Sequence, residues 1–450
     1  MEAIDLAAWH DAAPGKPGDY TGDVARFSRF WAMGADLLAR LPPKPARGIA
    51  EHEAAEHILT ACRGARETFL GAHAAELYRA LTRDHAAFVR VEDLVYDAAR
   101  IPGLVPTRAQ VAHESALPQR DKDGCEIDQG LLLSAILADP VAGAHLCHAM
   151  LLPRPDSAER AQKFARDGTL DLGTASVERR GKAVHVTMRN PRFLNAEDEG
   201  TLGDLESAVD VATLDPAGAI GVLRGGAVEH QKWRGRRVFN AGINLTHLYQ
   251  GKIPFVWYLK RDLGLVNKFF RGVAQPDKDP DEVAGGTMEK PWLAAVDGFA
   301  IGGGCQLLLV MDYIVAASDA YMTLPARKEG IIPGAANLRL ARFTGDRIAR
   351  QAILVGRRLD CESPEGRLVC DEVVAPAEMD ASIDRAVAGF TDSGVVSAAG
   401  NRRALRVAAE PLDLFRRYMA VYAREQAWCH FSPALIDNLE RNWNAAQRKA

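Results

Sequence analysis

Between Pro291 and Asp312 the chain reads PWLAAVDGFAIGGGCQLLLVMD. An apolar, strand-like run enters three consecutive glycines, Gly302, Gly303 and Gly304, and an apolar helical pattern follows without a spacer. Glycine has no Cβ, so backbone N–H groups at such a turn can face a bound molecule directly. The helix that begins there adds the positive end of its dipole. A strand-to-helix turn of this kind suits a developing oxyanion. Taken alone, the triplet serves equally well for close packing of a strand on a helix.

The rest of the chain divides by texture. Residues 1–171 read as helical. In TGDVARFSRFWAMGADLLARLPP, Thr21 is the expected N-cap, Val24, Phe27, Trp31 and Leu38 share one face, and Pro42-Pro43 closes the segment. GLLLSAILADPVAGAHLCHAMLL over 130–152 reads as a buried helix pair broken near Pro140. From Asp171 onward the pattern changes. Val184, Val186 and Met188 alternate with His185, Thr187 and Arg189, and Gly181 supplies a hairpin turn. Strand-like runs then alternate with helical ones, which predicts an α/β domain over 172–390. Residues 391–450 return to helix.

Bulk properties limit the function. With 55 Lys plus Arg against 59 Asp plus Glu, the net charge is −4, which offers no general affinity for nucleic acid or an anionic membrane. No run of about eighteen apolar residues predicts a membrane span. The N-terminus lacks a basic start followed by an apolar core, so no leader is expected there. Seven scattered cysteines without a CxxC pair fit a reduced, cytoplasmic enzyme. His145, Cys147 and His148 form the only close donor cluster and read as core residues rather than metal ligands. There is no P-loop, and no GxGxxG in a βαβ context.

Together with FNAGINL at 239–245 and EGIIPGAANLRL at 329–340, the glycine turn resembles the crotonase (enoyl-CoA hydratase/isomerase) superfamily. The resemblance covers 172–390 well and implies a crotonase-like ββα core, here joined to an all-helical N-terminal domain and a helical C-terminal region. Two stretches, 225–240 and 251–290, are longer than the pattern. The resemblance further implies an acyl-CoA thioester as substrate and a homotrimeric or homohexameric assembly. Its carbonyl oxygen would sit between the backbone N–H groups of Ile243 and Gly303, which stabilise an enolate, with Gly304 beside the substrate.

Departures from the family pattern carry as much information. Asn244 stands where an Asp is common. Gln306 and Ala326 occupy the two positions at which hydratases carry their glutamates, and neither an amide nor a methyl group can exchange a proton as a carboxylate does. Hydration by the usual route is therefore not expected. Ala326, with Ile331 and Leu245, is expected to leave a small apolar space beside the enolate carbon, suited to molecular oxygen. In this the chain resembles the crotonase-like oxygenases that act on an arylacetyl-CoA without metal, flavin or haem. The resemblance implies an arylglyoxylate and free CoA as products, with oxygen as co-substrate.

Two more polar residues, Glu197 and Arg261, are expected at the substrate, holding resorcinol-type hydroxyls of an aryl ring. Arg234, Arg236 and Arg237 are a basic stretch that reads as solvated. The competing expectations are a crotonase-type hydrolase or decarboxylase that makes no use of oxygen, and a non-catalytic acyl-CoA-binding scaffold.

Overall fold

A computed structural model describes residues 6–392 and 395–448. The first five residues, on which the reading of a leaderless N-terminus partly rests, lie outside it, as do residues 393–394 and 449–450.

Helices fill the chain from Leu6 to Asp167, and the first strand begins at Thr169. The helix expected near Thr21 runs Tyr20–Ala39, but its cap is Asp19. Asp19 has extended backbone angles and accepts from the Gly22 N–H at 2.9 Å, which leaves Thr21 inside the first turn. Phe27 and Trp31 are buried as expected, and Val24 and Leu38 pack at the margin. The apolar pair is two helices, Ile127–Ala138 and Pro140–Leu151, separated by Asp139, whose carboxylate caps the second. No single helix among the described residues is long and apolar enough to cross a membrane.

A seven-stranded sheet forms the centre, in the order Thr169–Asp171, Ala175–Arg180, Ala183–Met188, Ile220–Gly225, Trp292–Val296, Tyr313–Ala317 and Glu372–Val374. The first three strands are antiparallel neighbours, and Gly181 makes the hairpin turn with φ of 59°. From Ala183–Met188 onward every pairing is parallel. Parallel neighbours need crossovers, and the Glu199–Leu214 helix provides the first of them. A second, three-stranded sheet pairs Phe299–Ile301 in parallel with Tyr321–Thr323, which pairs antiparallel with Leu359–Asp360.

This topology gathers four chain segments. Asn195–Glu197 follows the strand Ala183–Met188, and Asn240–Asn244 follows Ile220–Gly225. Gly302–Gln306 follows Phe299–Ile301, and Pro325–Ile331 follows Tyr321–Thr323. Each therefore leaves the carboxyl end of a parallel strand, where α/β sheets place their ligand crevices.

The helical N-terminal segment, the sheet and the C-terminal helices bury their apolar side chains in one continuous core. The Ile127–Ala138 helix lies against Leu412–His430 so closely that a Cβ on Gly130 would sit 2.4 Å from the Ala427 Cβ and 2.9 Å from the Ala423 carbonyl oxygen. Buried charges tie the same parts together. Glu410 accepts from Arg339 at 2.8 and 2.9 Å and pairs with Arg342 at 2.9 Å. Burial opposes its ionisation, yet Arg339 and its neighbours bring it down to about 2.

If this seam matters, Gly130→Ala costs about 1–3 kcal/mol through overpacking. The urea midpoint should fall with an unchanged m-value. An unshifted midpoint would mean that the two helices slide apart without cost.

Candidate active site

Ile243, the first of the two expected oxyanion donors, is held by a short piece of β-pairing. The Glu197 N–H donates to the Gly242 carbonyl and the Asn244 N–H donates to the Glu197 carbonyl, each at 2.7 Å. Both bonds flank Ile243, so its own N–H points away from Glu197. Asn240 fixes the other side of the segment, since its carbonyl accepts from Ile301 N at 3.0 Å and its side chain accepts from Gly242 N at 2.6 Å. Gly242 has φ of 80°, and a Cβ there would meet the Ile301 carbonyl oxygen at 2.7 Å and Gly303 N at 3.1 Å. Only glycine lets the two donor loops approach this closely.

Gly303, the second expected donor, is the first residue of the Gly303–Leu308 helix, entered through Gly302 with φ of 50°. Asn244, in place of the common Asp, caps the short Leu245–Tyr249 helix and donates through Nδ2 to Asp198 at 2.9 Å. The amide thus keeps the loop's shape without adding charge beside the donors.

Behind Gly303 lies a buried polar knot. Arg261 Nε donates to Glu197 Oε2 at 2.6 Å, and Nη2 donates to Glu197 Oε1 at 3.0 Å and to the Gly303 carbonyl at 2.9 Å. Nη1 donates to Asp262 Oδ1 at 2.9 Å and to Gln306 Oε1 at 2.7 Å. A guanidinium has five N–H donors, and all five are used. Burial would weaken the Arg261 charge, but Glu197 and Asp262 hold its pKa above the ordinary guanidinium value. Burial pushes the Asp262 carboxyl up, and Arg261 opposes that shift. The knot sits on a π-helical stretch, Lys260–Val266, which turns both Arg261 and Asp262 inward.

Two cavities meet at this place. A cleft of about 490 Å³ runs from Arg192, Lys328 and Arg448 past Leu245 and Trp443 to Ile243. A small cavity of about 30 Å³ lies beyond, between Gly302, Gly303 and Gln306 on one side and Ala326, Ile331 and Pro333 on the other. Trp257, Tyr258 and Tyr422 complete its wall together with Arg261 and Asp262.

Against this geometry the expected residues sort as follows. Ile243, Gly303, Gln306, Arg261, Ala326 and Ile331 come together around the small cavity. Glu197 is buried and does not reach it, because Gly303 and Arg261 stand between. Its effect on a substrate is therefore exerted through Arg261. Arg261 in turn has no donor left for a ring hydroxyl. Leu245 lines the large cleft rather than the small cavity. Gly304 lines neither cavity; a Cβ on it would meet the Asn240 carbonyl oxygen at 2.7 Å, so it serves helix packing. Arg234, Arg236 and Arg237 lie outside the cleft, and Arg236 pairs with Asp319 at 2.7 Å.

Other residues at the site were not foreseen. Asp262, next to Arg261 in sequence, is buried with it. Tyr258 and Tyr422 sit in helical runs whose apolar faces give no sign of a cavity. Arg448 comes from the last turn of the described chain, and Glu329 had been read only as part of a loop motif. His145 is a core residue, with Nδ1 paired to the Tyr78 hydroxyl at 2.8 Å and Nε2 to the His85 carbonyl at 2.9 Å. Among the described residues no group of three or more His, Cys, Asp or Glu side chains is arranged to hold a metal.

Several known proteins are similar to this chain. The enoyl-CoA hydratase/isomerase family model matches residues 277–412. A (3,5-dihydroxyphenyl)acetyl-CoA 1,2-dioxygenase of Amycolatopsis orientalis is 50% identical over 394 residues, 87% of this chain and 89% of that one. A probable enoyl-CoA hydratase of Rhizobium meliloti (strain 1021) is 32% identical over 45% of this chain and 69% of its own. Among solved structures, an enoyl-CoA hydratase from Mycobacterium avium subsp. paratuberculosis K-10 aligns with a TM-score of 0.49 at 21% identity, over 60% of this chain and 98% of that one.

Proposed function

Because the chain belongs to the enoyl-CoA hydratase/isomerase family, we propose that it is a dioxygenase converting 3,5-dihydroxyphenylacetyl-CoA and molecular oxygen to 3,5-dihydroxyphenylglyoxylate and CoA. The observation that carries this reading is that Ile243 and Gly303, the expected oxyanion donors, meet Gln306, Ala326 and Ile331 at one small cavity, with Gln306 and Ala326 in place of the two hydratase glutamates. The relative that shares half of its sequence bears the same activity in its name.

The chemistry follows from the parts. The CoA arm lies in the large cleft, whose lining includes Arg192, Lys328 and Arg448 to suit its phosphates. A Cα–H between a thioester and an electron-rich aryl ring is acidic for carbon. Two backbone donors aimed at the carbonyl oxygen lower its pKa further, and removal of one such donor typically costs several kcal/mol. The small cavity, about 30 Å³, is large enough for one diatomic molecule and is apolar at Ala326 and Ile331. Oxygen there meets the enolate carbon, accepts its electrons and bonds to Cα as a peroxide. The peroxide attacks the thioester carbonyl, CoA leaves, and cleavage of the O–O bond with the C–C bond retained gives the α-keto acid. Both oxygen atoms end in the product, and the two Cα hydrogens end on the carboxyl group and the thiol. The reading assigns no part to metal, flavin or haem. An arylglyoxylate is one amino transfer from dihydroxyphenylglycine, a role in glycopeptide-antibiotic assembly.

Ala326→Glu tests the oxygen cavity. Its side chain fills the small space and brings a carboxylate to the enolate. Oxygen uptake on the thioester should fall at least ~100-fold, with binding of CoA in the cleft retained and a chelator without effect on the parent enzyme. Undiminished uptake by the variant would place oxygen elsewhere. CoA release by the parent enzyme without oxygen uptake would make it a hydrolase.

A further inference from the structure

The oxygenase reading leaves open which group takes the Cα proton, and the structure points to one. Among the described residues only Ile243 and Glu329 line both the large cleft and the small cavity. A thioester with its CoA arm in the cleft and its reacting carbon at the small cavity has to pass between them. Ile243 offers its backbone N–H to the carbonyl oxygen. Glu329 offers a carboxyl group from the opposite wall.

We propose that Glu329 is the general base that removes the Cα proton, which makes it a catalytic residue of the dioxygenase reaction. In the step, the proton moves from Cα to the Glu329 carboxylate. The C–H electron pair enters the enolate, and the charge settles on the thioester oxygen between Ile243 and Gly303.

Three observations support the assignment. Glu329 is only 9% exposed, yet among the described residues its carboxyl group has no hydrogen-bond or ion-pair partner. The other buried acids near the site are already engaged, Glu197 and Asp262 with Arg261. His247 is paired with Asp198, and His230 opens on the cleft alone. Buried carboxyl groups are ordinarily satisfied, so one left without a partner at a cavity wall is kept for something outside the protein.

Its position is also fixed. Glu329 ends the short Ala326–Glu329 helix, and Gly330 turns the chain with φ of 84°. Asn442 Nδ2, on the Pro433–Trp443 helix, holds the Lys328 carbonyl at 3.1 Å. Gln426 on the Leu412–His430 helix accepts from Ile332 N at 2.8 Å. A base so held loses little entropy when it meets its proton.

The surroundings set the working pH. Tyr258 and Tyr422 face Glu329 across the small cavity, and burial keeps both as phenols. Arg261 is neutralised by Glu197 and Asp262, and Lys328 and Arg448 stand in the cleft. His430, behind Tyr258, is held neutral by burial. Burial pushes the Glu329 carboxyl up to about 7, where a base is matched to neutral conditions. The ionised form accepts the proton, so proton removal rises with pH through about 7 and then levels.

The test uses 3,5-dihydroxyphenylacetyl-CoA under argon in D2O, with deuterium uptake at Cα followed by mass, and oxygen uptake measured separately in air. The parent enzyme should exchange the Cα hydrogens without oxygen, at a rate that climbs to a plateau above about pH 7. Glu329→Gln should exchange and consume oxygen at least ~100-fold more slowly with no such rise, and Glu329→Asp should recover part of the loss. Retained binding of free CoA by the variants certifies the fold. Exchange by Glu329→Gln within about threefold of the parent, or a parent profile flat across pH 6–8, would overturn the assignment and leave the substrate's own phenolate as the base. A parent enzyme that neither exchanges nor consumes oxygen would overturn the oxygenase reading together with it.

Discussion

Arg261→Met is expected to abolish activity and to cost the fold about 3–5 kcal/mol. The side chain is buried, and all five of its N–H groups are engaged, with Glu197, Asp262, Gln306 and the Gly303 carbonyl. Removing it strands two buried carboxyl groups, and it releases the carbonyl of Gly303, whose N–H is the proposed oxyanion donor. Arg261→Lys should restore little, since an ammonium group has three donors and no planar fork. Removing charge on both sides, as in Glu197→Gln with Arg261→Met, should recover part of the stability and none of the turnover. A double-mutant cycle by urea unfolding, with kcat measured in parallel, separates the two effects. A stable, active Arg261→Met enzyme would show that the knot is ornament to the oxyanion site.

Gly303→Ala carries the second large effect. A Cβ at this position would lie 2.6 Å from Glu197 Oε1 and 2.9 Å from Arg261 Nη2. Either the ion pair opens or the backbone retreats, and both displace the donor. A misdirected oxyanion donor costs about 10²–10³ in kcat, and the loss should appear in kcat more than in KM. Gly304→Ala makes an instructive companion. Its Cβ meets the Asn240 carbonyl oxygen at 2.7 Å, so it should lower stability first and disturb the donors only through the shift of Asn240. Equal kcat in Gly303→Ala and the parent enzyme would remove Gly303 from the oxyanion site.

How much of this was legible in the chain depended on the range of the interaction. The close approach of the Gly242 and Gly302–Gly304 loops was, because it needs glycine, and glycine leaves a local mark in the sequence. The substitution of the two hydratase acids by Gln306 and Ala326 was equally plain. Arg261 was singled out together with Glu197, but as groups holding ring hydroxyls rather than as a buried knot. The π-helical turn buries Arg261 with Asp262 and sets it against Glu197 from another segment, so its donors are spent inside the protein. Leu245 sits two residues beyond Ile243, close enough in sequence to share its cavity, yet the helix that starts at Leu245 turns it into the cleft. Glu329 could not be singled out, since a charged residue before a glycine usually marks an exposed helix end. Only the Pro433–Trp443 and Leu412–His430 helices, packed over it from the far end of the chain, make it a buried acid. The N-terminal helices gave no hint that they share a core with those same C-terminal helices, because the contact at Gly130 and Ala427 has no local signature.

The central claim is that oxygen reacts at a carbon made nucleophilic between Ile243 and Gly303, and isotopic labelling addresses it most directly. Turnover of 3,5-dihydroxyphenylacetyl-CoA under ¹⁸O₂ should give a glyoxylate heavier by two ¹⁸O atoms, one in the keto group and one in the carboxylate, provided the keto oxygen is trapped before it exchanges with water. A product that takes its oxygen from H₂¹⁸O instead, or free arylacetate with no label from the gas, would contradict the account and return the enzyme to thioester hydrolysis.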